Sequence, residues 1–116
     1  MKPYLIRLHV QAFTPRHLDA INTRVLAEWH FRCQSIELEP PCIEWGGDGL
    51  LALGEVAFAD RLAQVIWIAN EGPCQIVMHL CNLSLAPFTT IRHDATNHAR
   101  WLSTLANPIL SEVSYG

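Results

Sequence analysis

Residues 3–29 read PYLIRLHVQAFTPRHLDAINTRVLAEW, and a change of period inside them decides the fold class. Tyr4, Ile6, Leu8 and Val10 alternate with Leu5, Arg7, His9 and Gln11, the period of two of a strand with one buried face. Thr14-Pro15 then punctuates the chain as N-cap and first helical residue, where the missing proline N–H costs nothing. Leu18, Ile21, Val25, Leu26 and Trp29 follow at helical spacing and predict a core-facing helix over residues 15–30.

Downstream, residues 34–39 read as a second strand with Ile36 and Leu38 inward and Glu37 and Glu39 outward. Pro40-Pro41 cannot donate ladder bonds, so this strand belongs at an edge. Cys42–Trp45 resumes pairing, Gly46-Gly47-Asp48-Gly49 reads as a tight hairpin turn, and Leu50–Leu53 reads as a strand covered on both sides. A second helix is expected over residues 55–70, with Phe58, Leu62, Val65, Ile66 and Ala69 on one face. Gly72 supplies its left-handed cap. Residues 74–83 form the last strand of the unit, with Ile76, Met78 and Leu80 inward and Gln75, Val77, His79 and Cys81 outward. Phe88–Arg92 reads as a short strand and Asp94 as the cap of a third helix ending near Asn107-Pro108. A loosely held tail is expected from Ile109.

The order strand, helix, strand-turn-strand, helix, strand over Pro3–Leu83 predicts one α+β domain that resembles the ferredoxin-like βαββαβ sandwich. In that fold an antiparallel sheet carries two helices on one face. Residues 84–116 add an extension with a further strand and helix.

Composition bounds what such a domain does. At 116 residues the chain is one domain, long enough to bury a core without metals or disulfides. Half of its residues are hydrophobic and only 16% are charged, which predicts a homo-oligomer, most simply a homodimer. A net charge of −3 with no basic run argues against nucleic acid and anionic lipid as partners. The N-terminus shows no secretion signal. The apolar stretch Leu50–Ala69 is interrupted by Glu55, Asp60, Arg61 and Gln64, so it reads as buried strand and helix rather than a membrane span. Cys33, Cys42, Cys74 and Cys81 form no C-x-x-C pair and are expected as reduced thiols in the cytoplasm.

Candidate chemistry follows from pairing the first strand with the last. The sheet face away from the helices then gathers Arg7, His9 and Gln11 beside Gln75 and His79, with Cys81, Glu37 and Glu39 further along. Imidazoles and a guanidinium on one face suit a small anion or acid–base work. An ordinary solvated face, or the seam of a sheet-to-sheet dimer, explains the same pattern. His79 and Cys81 at i, i+2 with His9 suggest zinc, but no fourth ligand is evident and no metal or other cofactor is expected. Asp94 and His98 stand one helical turn apart, next to His93; the simpler account makes Asp94 a cap and leaves His98 exposed. Cys33, three residues after His30, and Cys42 lie near predicted loops, where a thiolate needs a cationic or imidazole neighbour to become reactive. The glycine-rich run lacks the lysine and hydroxyl of a phosphate-binding loop. RNA-binding domains share the element order, yet the outward positions of the first strand carry no aromatic platform.

Three functions are therefore weighed. The first is a cytosolic homo-oligomeric binding module without an assembled catalytic motif. The second is an inhibitor- or immunity-type protein that meets a basic partner through Glu37, Glu39, Glu44 and Asp48. The third is a lyase- or isomerase-like enzyme using His9 and His79.

Overall fold

The computed structural model describes residues 1–85 and 87–115, and their side chains as far as residue 105. Five antiparallel strands form one sheet: β1 (Lys2–Gln11), β2 (Phe31–Leu38), β3 (Pro41–Leu51), β4 (Gln75–Asn82) and β5 (Phe88–His93), in the order β2-β3-β1-β4-β5. The alternating strand of the sequence thus lies at the centre, flanked by β3 and β4 along its length. Three α-helices accompany the sheet: α1 (Leu18–Glu28), α2 (Glu55–Asn70) and α3 (Ala95–Tyr115). No helix among the described residues is long and apolar enough to cross a membrane.

The core lies between the sheet and the pair α1–α2, which pack on each other. Tyr4, Ile6, Leu8 and Val10 of β1, Ile43 and Trp45 of β3, and Ile76, Met78 and Leu80 of β4 are all buried on this side. Ile21 and Val25 of α1 and Phe58, Leu62 and Ile66 of α2 meet them. Each such side chain contributes about 1.5–3 kcal/mol on leaving water. Trp45 is fully buried, and its indole N–H donates to Asn22 Oδ1 at 2.9 Å, so the polar end is satisfied.

Several local expectations are corrected. A 3₁₀ turn over Pro15–His17 precedes α1, and the Thr14 hydroxyl makes no cap. Instead, the Thr14 N–H donates to Asn70 Oδ1 at 2.8 Å, while the Asn70 amide donates to the carbonyls of Gly72 and Pro73. One buried asparagine therefore ties the β1–α1 connection to the α2–β4 connection. Leu26 is 43% exposed, off the core stripe. At the end of α2 the left-handed residue is Glu71, with φ 59°, rather than Gly72. Its N–H reaches Ile68 O and the Gly72 N–H reaches Trp67 O, the paired bonds of a Schellman ending. The Glu71 carboxylate in turn lies 2.7 Å from His17 Nε2.

The largest correction concerns Gly46-Gly47-Asp48-Gly49, which is no turn. These residues run through the middle of β3, and the β2–β3 turn falls at Glu39-Pro40. The glycines answer a packing demand: a Cβ at Gly47 would stand 2.2 Å from the His30 carbonyl oxygen, and one at Gly49 would stand 2.5 Å from the His30 ring. The α1–β2 junction thus approaches β3 too closely for side chains there. An irregularity in β2 between Cys33 and Ser35 leaves Gln34 free to lie over Gly46. Leu50 (53% exposed) and Leu53 (48%) are not doubly covered, and β3 ends at Leu51. Ile36 and Leu38 are half exposed because the edge strand β2 is uncovered beyond Phe31. The Asp94 cap holds: Asp94 Oδ1 accepts the N–H groups of Thr96 and Asn97, and Asn97 Oδ1 accepts that of Asp94. The backbone of α3 continues through Pro108 to Tyr115, past the expected end near Asn107 and along most of the expected tail. Gly116 lies outside the described residues.

Candidate functional site

The face of the sheet away from α1 and α2 carries the polar residues singled out in the sequence. Strand register places them. Arg7 lies opposite Gly46 on β3 and His79 on β4, His9 opposite Glu44 and Val77, and Gln11 opposite Cys42 and Gln75. Arg7, His9 and His79 are thereby brought together at the centre. The two imidazoles meet edge to face with ring centroids 5.5 Å apart. Gln11 and Gln75 face each other at the strand ends, beyond Val77, and stand at the rim of the cluster rather than in it.

Neighbouring strands complete the cluster. His9 Nδ1 is 3.6 Å from Glu44 Oε2, and His79 Nδ1 is 2.9 Å from Thr90 Oγ1 on β5. Arg92 of β5 lies opposite Val77, one position along the same face. Burial lowers the His79 pKa below the ordinary imidazole value, and the positive charges of His9, Arg92 and Arg7 lower it further. Glu44 opposes them. The field at His79 is thus net positive. Among the described residues neither Arg7 nor Arg92 is in an ion pair. Leu5 and Phe88 border the cluster on this face, 38% and 68% exposed, and Leu50, 53% exposed, lies further along it.

The other sequence candidates separate. Cys81 lies opposite Leu5, two positions along from His79 and further from His9, and His79 Nδ1 is engaged by Thr90. Among the described residues no group of three or more histidine, cysteine or carboxylate side chains is placed to hold a metal ion. The Cys33 thiol faces the Ser35 carbonyl at 3.9 Å, whereas the His30 ring packs on Trp29 and over Gly49, so the two do not form a thiol–imidazole pair. His98 is not on an exposed side. Its ring stands edge-on to Trp67 at 5.1 Å and to Trp101 at 6.0 Å, because α3 folds back against α2.

That folding back creates a second polar site that the sequence reading misses. A cavity of about 270 Å³ opens between α2, the end of β5 and the first turns of α3. Within it His93 Nε2 lies 2.9 Å from Asp60 Oδ1, and the His93 side chain is only 10% exposed. Trp67 and Trp101, 5.8 Å apart, form its apolar wall, with Arg100 among the polar lining groups. Asp60 and His93 are 33 residues apart, and no spacing rule links them. The only sequence signal was the Asp94 cap, which places His93 at a strand–helix junction.

The chain matches no protein-family model, no curated protein and no solved structure.

Proposed function

We propose that this chain is a small cytosolic homo-oligomeric binding module whose open sheet face takes a small anionic ligand, a carboxylate or phosphate. The observation that carries the reading is the cluster of Arg7, His9, His79 and Arg92, in which neither guanidinium is in an ion pair among the described residues. Guanidinium groups present paired N–H donors that match the oxygens of such anions, and neighbouring imidazoles add further donors. The His79 pKa is lowered first by burial and then by the positive charges of His9, Arg92 and Arg7, and the second contribution agrees with an anion site. Gln11 and Gln75 supply amide donors at the rim. Leu5, Leu50 and Phe88, exposed around the same face, support self-association beside the ligand. The free thiols of Cys33, Cys42 and Cys74 suit a reducing compartment.

We propose likewise that the fold is ferredoxin-like. Its support is the sub-order β2-β3-β1-β4 with α1 and α2 packed together over one face; β5 and α3 are then additions to that unit.

Calorimetric titration with inorganic phosphate and acetate, alongside light scattering, tests the proposal. Binding with a Kd at or below about 10 mM is expected, weakened at least about fivefold by Arg7→Gln. Absence of binding to either anion at that concentration refutes it.

A second reading has a specific observation behind it. The 5.5 Å separation of His9 and His79, with Glu44 beside His9, puts two titratable rings within reach of one substrate, as a lyase- or isomerase-like proton transfer requires. It expects His79→Ala to abolish turnover in a substrate screen without loss of folding. The inhibitor reading is weaker, because Glu44 of its acidic set is turned towards His9.

A further inference from the structure

The cleft between α2 and α3 lies on the helix side of the sheet, since His93 pairs in register with the buried Ile76. It is therefore independent of the open-face cluster. Its parts are complementary in a particular way. Asp60 Oδ1 lies 2.9 Å from His93 Nε2, and Arg100 is the lining cation with no ion pair among the described residues. The apolar wall is aromatic: Trp67 is buried and held by an N–H bond to the Cys74 carbonyl, and the half-buried Trp101 leans on it at 31°. Trp67, held by that bond, backs the ring of Trp101. Volume limits the occupant. At about 270 Å³ the cavity sits at the lower edge of ligand-binding pockets, which run from about 300 to 1,000 Å³, and so has room for a single ring and its substituent.

We infer that this cleft is a binding site for a small aromatic carboxylate, its ring against Trp101 and its carboxylate on Arg100. The Asp60–His93 pair lines the same cleft. An aromatic cation is disfavoured because it meets the unpaired Arg100 guanidinium.

Three probes in two-dimensional NMR test this, with the Trp101 indole N–H as reporter. Benzoate carries ring and charge, acetate the charge alone, and benzamidine the ring with opposite charge. Benzoate is expected to shift the Trp101 resonance with a Kd at or below about 10 mM, and the other two to bind at least about tenfold more weakly. Arg100→Gln, an exposed substitution that leaves the packing intact, is expected to weaken benzoate at least about fivefold. The resonances of His9 and His79, recorded in the same spectra, distinguish this site from the open face. If benzoate leaves Trp101 unmoved, or binds Arg100→Gln as tightly as wild type, or is matched by benzamidine, the inference is overturned.

Discussion

Alanine substitution of the β3 glycines is the sharpest test of how the fold is assembled. At Gly47 an added Cβ meets backbone: the His30 carbonyl oxygen at 2.2 Å and its carbon at 2.9 Å, where ordinary contact begins near 3.4 Å. Relief requires moving the whole α1–β2 junction, and Trp29, 3.2 Å away, closes the other direction. A cost of about 3 kcal/mol is expected, the upper part of the range for overpacking. At Gly46 the clash is with the Gln34 amide at 2.5 Å, the far end of a flexible and exposed side chain, so the cost stays below about 1 kcal/mol. Gly49, facing the movable His30 ring at 2.5 Å, falls between them. Gly72 serves as control. A Cβ there meets nothing within 4 Å and φ is not positive, so Gly72→Ala is expected to be neutral or to stabilise by about 0.5 kcal/mol through the unfolded chain. Urea unfolding followed by circular dichroism measures all four, with unchanged m-values as the check on two-state behaviour. A Gly47→Ala cost below about 1 kcal/mol, or a Gly46→Ala cost exceeding it, refutes the close approach of His30 to β3.

Other perturbations follow from the packing. Trp29 sits between Phe31 at 5.3 Å and Phe58 at 6.0 Å, and its indole N–H donates to Leu50 O at 2.9 Å. Trp29→Ala is expected to cost about 3 kcal/mol, the low end for a tryptophan because the ring is partly exposed; a loss below about 1 kcal/mol in urea unfolding contradicts this. In alkali, burial pushes the Cys74 thiol up to about 12 from 9.0. Burial and the Glu55 carboxylate likewise raise Tyr4 above 10.0. Both groups hold protons in the folded state that the unfolded chain releases first, so stability is full below about pH 9 and falls as pH rises towards 12. The urea midpoint is expected to drop between pH 8 and pH 11, and to drop less in Cys74→Ala; a flat profile contradicts the burial of these groups.

How much was legible in the residues divides along physical lines. Alternation in β1 and β4 and the apolar face of α2 are local signals reinforced by burial: the inward residues read in β1 and β4 are buried, as are Phe58, Leu62, Val65 and Ile66 of α2, while Cys81 and Trp67 are buried outside the sets read from the sequence. Asp94 caps α3 because its partners lie two and three residues away. The failures share a cause, which is partners distant in sequence. Asp48-Gly49 is a good turn signal in isolation, but the glycines answer to His30, which packs across them from the α1–β2 junction. Thr14 has the chemistry of a cap, yet its hydroxyl makes none, and its N–H goes to Asn70, 56 residues on. The same division holds for the sites. Pairing the first and last strands of the core was enough to unite Arg7, His9 and His79. Thr90 and Arg92 escaped because the place of β5 beside β4 was not foreseen. Asp60–His93 escaped because only the return of α3 onto α2 encloses it.

The central claim is that the open face binds an anion at His79 and its cationic neighbours. The most direct measurement is the NMR pH titration of the His79 ring with and without inorganic phosphate. Without ligand the ring is expected to titrate below the ordinary 6.5, because burial and the charges of His9, Arg92 and Arg7 disfavour its protonated form. A bound anion neutralises those charges, so phosphate is expected to raise the midpoint, and Arg7→Gln to raise it without phosphate while weakening the phosphate effect. A His79 midpoint that phosphate leaves unmoved contradicts the account.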